Sequence, residues 1–150
     1  MFDFLPHVSL LTPADLDLAE SSFSEQIFRK NQTIVRNGFV CRYLYFIRRG
    51  LVYAQTPDEK IIYYEFEGNS CTDIESFIQG IPAQISIVSA EEGTEVYSIS
   101  RSDFVNLTRI SHSWAVWAVK FWEQELVRVA GYYEAMRNKD ASQRYQDLVA

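Results

Sequence analysis

The stretch EGNSCTDIESFIQGIPAQIS, residues 67–86, decides how the whole chain is read. Gly68 closes a strand-like run, TDIESF opens a short helix, Gly80 and Pro82 stop it, and AQIS begins a new β-like run. A strand, a glycine turn and a helix N-terminus in that order can hold an anion on the free helical amides. This one has Asp73 and Glu75 after the glycine, and no base. The same acids also have an account without a ligand. TDIE, residues 72–75, fits a capping box with Thr72 at the N-cap and Glu75 three residues on, and Asp73 falls in the first turn, where the helix dipole favours a negative charge.

Outward from that stretch, residues 33 to 100 are β-like. TIVRNGF, RYLYFIRRGLVYAQT, KIIYYEFEGN, AQISIVSA and TEVYSIS are rich in Ile, Val, Tyr, Phe and Thr and are separated by turn residues. In KIIYYEFEGN, strand alternation puts Ile62, Tyr64 and Phe66 on one face and Ile61, Tyr63 and Glu65 on the other. Pro57 and Asp58 make a hairpin turn between two runs. Regularly spaced short strands predict a sandwich or barrel rather than a βαβ sheet. Before them, residues 1 to about 30 look helical. Thr12 and Pro13 form an N-cap and N1 pair, Asp15 lies in the first turn, and Leu16, Ala19, Phe23, Ile27 and Phe28 continue as a helical stripe.

After Ser100 the helical period returns. Residues 102–109 predict a short helix marked by Phe104 and Leu107, and residues 113–137 a long one. Along the long helix Ala115, Val119, Trp122, Leu126, Val129, Tyr133 and Met136 alternate spacings of four and three, the pattern of a coiled-coil seam. Trp114, Trp117, Ala118 and Phe121 form a second strip. One strip can cover the β-unit while the seam pairs two copies of the chain; a single wide face buried within one chain is the alternative. The tail DASQRYQDLVA, within residues 138–150, starts a further helix that no Gly or Pro closes, which predicts a chain continuing into another domain.

The bulk numbers narrow the chemistry. With 150 residues and 47% hydrophobic content the chain can build one sizeable core, and a formal charge of −6 argues against a broad basic face for nucleic acid or anionic lipid. Cys41 and Cys71 stand alone and read as packed, reduced thiols. No signal peptide and no membrane-length apolar run is visible, so a cytoplasmic location is expected. His7 and His112 are the two histidines. Neither lies on the β-unit, which leaves a cupin-like metalloenzyme as the less favoured alternative and argues against a His-based triad. Two cysteines are too few for an iron–sulfur cluster. No cofactor, no metal and no enzymatic activity is expected.

A helical start, a small roll of strands and a long final helix, carried by IVRNGF, YLYFIRRGLV, YEFEGNSCTD and VSAEEGTEVYSISRSDF in that order, resemble the cyclic-nucleotide-binding effector domain of Crp/Fnr-type bacterial transcription regulators. The resemblance covers about residues 10 to 137. It implies an α+β, mainly β fold: a double-stranded β-helix or jelly-roll-like barrel with N-terminal helices and a long C-terminal dimerisation helix. The implied boundaries are 1–112 for the roll and its helical start, 113–137 for the dimerisation helix, and 138–150 for the start of a connecting helix to a DNA-binding domain outside this sequence.

In such domains a Glu at the short helix accepts the ribose hydroxyl and an Arg on the next strand grips the cyclic phosphate. Carried over, Asp73 falls near the Glu position, with Glu75 the weaker match, and Gln84 falls at the Arg position, with Ser86 near the small residue after it. The candidate pocket is therefore Gly68, Thr72, Asp73, Ile74, Glu75, Gln84, Ile85 and Ser86. Between Lys60 and Arg101 there is no Lys, Arg or His. A phosphate beside these acids would meet repulsion of roughly 1–4 kcal/mol per close pair. It would also lack a charge-assisted bond worth about 1.5–3 kcal/mol. The expectation is an effector-sensing, homodimeric regulator domain that does not bind cAMP but takes a neutral or cationic small molecule, or has become a structural relay. A stand-alone ligand-binding or protein-interaction roll is the second reading.

Overall fold

Gly50 divides the apolar run RYLYFIRRGLVYAQ between two sheets. Its φ is +110°, and a Cβ there would lie 2.6 Å from Thr94 Oγ1 and 2.9 Å from Thr94 Cα, so the turn accepts glycine and little else. The strand before it, β3 (Tyr43–Arg49), joins β1 (Phe23–Phe28) and β7 (Thr94–Ser100) in an antiparallel sheet ordered β1-β7-β3. The strand after it, β4 (Leu51–Gln55), lies in a second antiparallel sheet with β2 (Thr33–Val35), β5 (Ile61–Phe66) and β6 (Ser86–Ser89), ordered β2-β6-β4-β5. This computed structural model describes residues 2–149, with side chains described for residues 2–131 and Glu134.

Two cores result. The inner one draws Ile47 and Val96 from the first sheet and Val35, Val52, Ala54 and Ile87 from the second. The outer one packs Leu44, Phe46 and Ile99 against the N-terminal segment and the C-terminal helices. Because β3 is covered on both faces, its sequence is nearly continuously apolar instead of alternating. The mainly β jelly-roll reading holds; the barrel expected from sequence is an open roll of two sheets.

At the N-terminus, α1 (Pro13–Ala19) begins at a reciprocal box in which the Asp15 N–H donates to Thr12 Oγ1 at 3.2 Å and the Thr12 N–H to Asp15 Oδ2 at 2.8 Å. The structure corrects the helical stripe expected to run on through Phe23, Ile27 and Phe28. The helix gives way to a single 3-10 turn at Glu20–Ser22, and Phe23–Phe28 is β1, paired along its length with β7. Serines at 21 and 22 weaken the helix, and the ladder with β7 then decides the conformation.

The C-terminal part is two helices, α3 (Arg101–Ile110) and α4 (His112–Val149). The Ser100 hydroxyl caps α3 by accepting from the Asp103 N–H at 3.1 Å. α4 is one helix through Val149, so the tail read as a separate helix continues it. Trp114, Trp117, Ala118 and Phe121 are buried against the roll, and the two indole N–H groups donate to the carbonyls of Asp15 (2.8 Å) and Pro6 (2.7 Å), which fastens the N-terminal segment to α4. Of the seam, Val119 and Leu126 are exposed, at 58% and 71%, and are flanked by exposed Val116 and Val127. Ala115, Trp122 and Val129 are half-buried, Trp122 against Phe77 and Phe104. The side chains of Tyr133 and Met136 lie outside the described residues. Among the described residues no helix is long and apolar enough to cross a membrane.

Candidate functional site

A β-bulge shapes one wall of the cavity between roll and helix. Opposite β4, Ala54 pairs with Tyr63 and Gln55 with Ile61, which leaves Ile62 as the extra residue. Ile62 and Tyr63 are therefore both half-buried and both line a cavity of about 510 Å³. Beyond the bulge the alternation resumes: Glu65 is buried, while Tyr64 and Phe66 point outward.

The second wall is the segment quoted at the outset. α2 (Ile74–Gln79) is capped by Asp73, whose Oδ1 accepts from the Ser76 N–H at 3.1 Å. This corrects the capping box read from sequence, in which Thr72 was the cap. The Thr72 hydroxyl instead accepts from the Tyr45 N–H at 2.8 Å and so ties the start of this wall to β3. Asp73 Oδ2 accepts from the Gln84 N–H at 3.1 Å, joining the two ends of the α2 excursion. The Ser76 hydroxyl accepts from the Cys41 N–H and donates to the Ile81 carbonyl. Gly80, left-handed at φ 71°, ends the helix as expected.

The third wall comes from α4. Arg128 and Val129 close the cavity, and the Arg128 guanidinium pairs with Glu65 of β5 and, at 2.6 Å, with Glu125 one helical turn earlier. It also reaches the Ser70 hydroxyl at 3.4 Å. Arg128 Nε is buried without an acceptor. Burial pushes the Glu65 carboxyl above the ordinary glutamate range, with Arg128 partly offsetting it. Burial also raises the Tyr63 phenol and the fully enclosed Cys71 thiol. Neither cysteine is placed as a nucleophile, since both are buried and both thiols are raised.

Six of the eight residues carried over from the resemblance line this cavity: Thr72, Asp73, Ile74, Glu75, Gln84 and Ile85. Gly68 and Ser86 do not. The Gly68 N–H donates to the Ile47 carbonyl in the turn after β5, and the Ser86 hydroxyl accepts from the Asn37 N–H. Sequence reasoning missed Glu65 and Arg128, and it assigned Val129 only to the seam. A signal was present. An acid on the inward face of a strand needs a cation, and residues 61–100 hold none, so the partner had to come from outside that span. Among the described residues there is no cluster of three or more metal-ligating side chains.

Residues 25–111 match the family model described as cyclic nucleotide-binding domain. No curated protein matches the chain in sequence. Among solved structures it is similar to the Thermus thermophilus catabolite activator protein (TM-score 0.67, 21% identity, 85% of this chain and 61% of that one). It is also similar to a cyclic nucleotide-binding domain from Methylobacillus flagellatus (0.74, 19%, 86% and 74%). A third is the sensor domain of the transcriptional regulator DNR from Pseudomonas aeruginosa (0.64, 16%, 79% and 85%). Identities this low carry the fold alone, and the chain spans less than two thirds of the catabolite activator protein.

Proposed function

The chain belongs to the cyclic nucleotide-binding domain family, and from that premise we propose that it is the effector-sensing and dimerisation half of a Crp/Fnr-like transcription regulator, not an enzyme, whose pocket takes a neutral or cationic small molecule in place of a cyclic nucleotide. The observation that carries this reading is the state of Arg128. It is the one cation among the described residues lining the cavity, and Glu65 and Glu125 already hold its charge. Asp73 and Glu75 add two further carboxylates to the lining, and Gln84, at the position of the family's phosphate-binding Arg, brings no charge. An anion entering this cavity would have to displace two carboxylates from Arg128 and then face the acids across it.

A neutral effector fits the same wall. Ile62, Ile74, Ile85 and Val129 offer apolar contact and the Gln84 amide offers a polar group. In mechanism, an effector touching β5, α2 and α4 together favours one position of α4 over another, because Arg128 and Val129 belong to that helix. Val116, Val119, Leu126 and Val127 pair two copies, so the shift reaches both subunits. DNA is contacted by a separate helix-turn-helix domain following α4.

A thermal-shift panel tests the effector class. A neutral or cationic metabolite at 100 times its dissociation constant adds about 2.7 kcal/mol, a rise of several degrees. For a neutral metabolite that rise should shrink in Arg128→Gln, and for a cationic one it should grow, since Glu65 and Glu125 are released. A panel in which anionic metabolites alone stabilise the protein, with the rise lost in Arg128→Gln, would overturn the reading.

A further inference from the structure

A second cavity, of about 640 Å³, lies on the other side of α2, between β3 and α3. Its chemistry is opposite to that of the first. Arg42, Arg101 and Arg109 line it, and among the described residues none of its lining is acidic. None of the three arginines is ion-paired among the described residues, whereas Arg48 and Arg128 both are. Arg29, Arg36 and Arg49 are likewise unpaired among the described residues, and Arg109 also suits the last turn of α3. What sets Arg42, Arg101 and Arg109 apart is that they converge on one concavity with no acid among the described residues of its lining, a local positive field in a chain of net charge −6.

The fold sets their spacing. The Arg101 N–H donates to the Arg42 carbonyl at 3.1 Å, so these two side chains leave adjacent backbones at one end of the cleft. Arg101, Val105 and Arg109 recur every four residues and share one face of α3, which puts Arg109 about 12 Å further along the axis. Val105 and Phe77 give the cleft an apolar floor and half-exposed Tyr43 gives it an aromatic rim. Asp103, the single acid of α3, is not in the lining.

We propose that this cleft is a binding site for a polyphosphate chain, inorganic or carried on a nucleoside. The Arg42 and Arg101 forks grip one end and Arg109 takes the other. A linear chain of phosphates matches cations set out along a line, and guanidinium forks bind such oxygens in pairs. The site is separate from the effector pocket and does not depend on how that pocket is used; the two share only α2 as a common wall.

The test is calorimetric titration of sodium tripolyphosphate, and separately of ATP, into the wild type and into Arg42→Gln, Arg109→Gln, Arg49→Gln and Arg128→Gln at constant ionic strength. Arg49 is an exposed arginine outside the cleft. Saturable binding to the wild type is expected, weakened at least about tenfold in Arg42→Gln and Arg109→Gln and unchanged in Arg49→Gln. Ligand-free melting temperatures of the cleft variants should equal the wild type's, since both side chains are exposed. Tighter binding of ATP than of tripolyphosphate assigns the site to a nucleoside polyphosphate with its base on Tyr43; equal binding assigns it to the phosphate chain alone. Absence of binding, equal weakening in Arg49→Gln, or weakening confined to Arg128→Gln each overturns the proposal.

Discussion

Arg128 of α4 is ion-paired with Glu65 of β5 across 63 positions of sequence, and this pair fastens the long helix to the wall of the roll's cavity. The pair is costly on the Glu65 side, whereas burial opposes the Arg128 charge but its carboxylate partners outweigh that. Glu65 is only 8% exposed, and burial lifts its carboxyl above the ordinary range of about 4.3 despite the cation beside it.

That shift has a sign that can be measured. Between the ordinary glutamate value and the raised folded value, the folded protein holds a proton on Glu65 that the unfolded chain has released. The contribution is therefore full below about pH 4.3 and is lost as pH rises through the folded value. Glu65→Gln has no such proton to lose. The melting temperature of Glu65→Gln minus that of the wild type should grow from pH 4 upward and then level off. The carboxyls of Asp3, Asp15 and Asp58, which hydrogen-bonding partners hold below their usual range, act with the opposite slope in both proteins and cancel in the difference. A difference that is flat or falls with pH contradicts a raised Glu65 carboxyl.

Asp73 carries two structural jobs in one carboxylate, the cap of α2 and the bond to the Gln84 amide. Asp73→Ala should cost about 2 kcal/mol in chemical denaturation, Asp73→Asn well under half of that, and Glu75→Ala almost nothing. If Glu75→Ala were as damaging as Asp73→Ala, the capping box read from sequence would be the better description after all.

Gly50 and Gly38 separate steric crowding from backbone strain. Both have positive φ, but a Cβ on Gly38 meets nothing within 4 Å while one on Gly50 runs into Thr94. Gly38→Ala should cost about 1 kcal/mol from strain alone, and Gly50→Ala more than twice that, because Thr94 lies in the first-to-second-sheet junction and cannot retreat. Equilibrium urea unfolding of the two variants compares them directly.

Much of the fold was legible in the sequence, and for physical reasons. The strand runs around Gly50 and Gly68 are short, β-branched and bounded by residues that turn the chain, so local chemistry and final structure agree there. The short helix at residues 74–79 is likewise marked by its own cap and stop. Phe23–Phe28 was not legible, because its helical spacing is overruled by a ladder to β7, some seventy residues away. Thr72 and Asp73 exchanged roles for a similar reason: the Tyr45 amide, supplied by another strand, takes the Thr72 hydroxyl. Arg128 escaped because a pocket built from three separate segments leaves no trace in the spacing of any one of them; the charge imbalance of residues 61–100 shows that a partner is needed but not which one.

Leu126 tests the proposed pairing of two copies. At 71% exposed it supports little within one chain, so Leu126→Lys should leave the fold's circular dichroism unchanged while light scattering reports half the wild-type mass. A wild type that is monomeric across a dilution series contradicts the pairing.

The most direct test of the central claim is a calorimetric titration of cAMP into the wild-type protein, repeated with Arg128→Gln. With Arg128 held by Glu65 and Glu125, and no other cation among the described residues of the cavity lining, no saturable heat is expected even at millimolar cAMP. Micromolar binding that disappears in Arg128→Gln would contradict the account, because it would mean that Arg128 leaves its two carboxylates to take the cyclic phosphate.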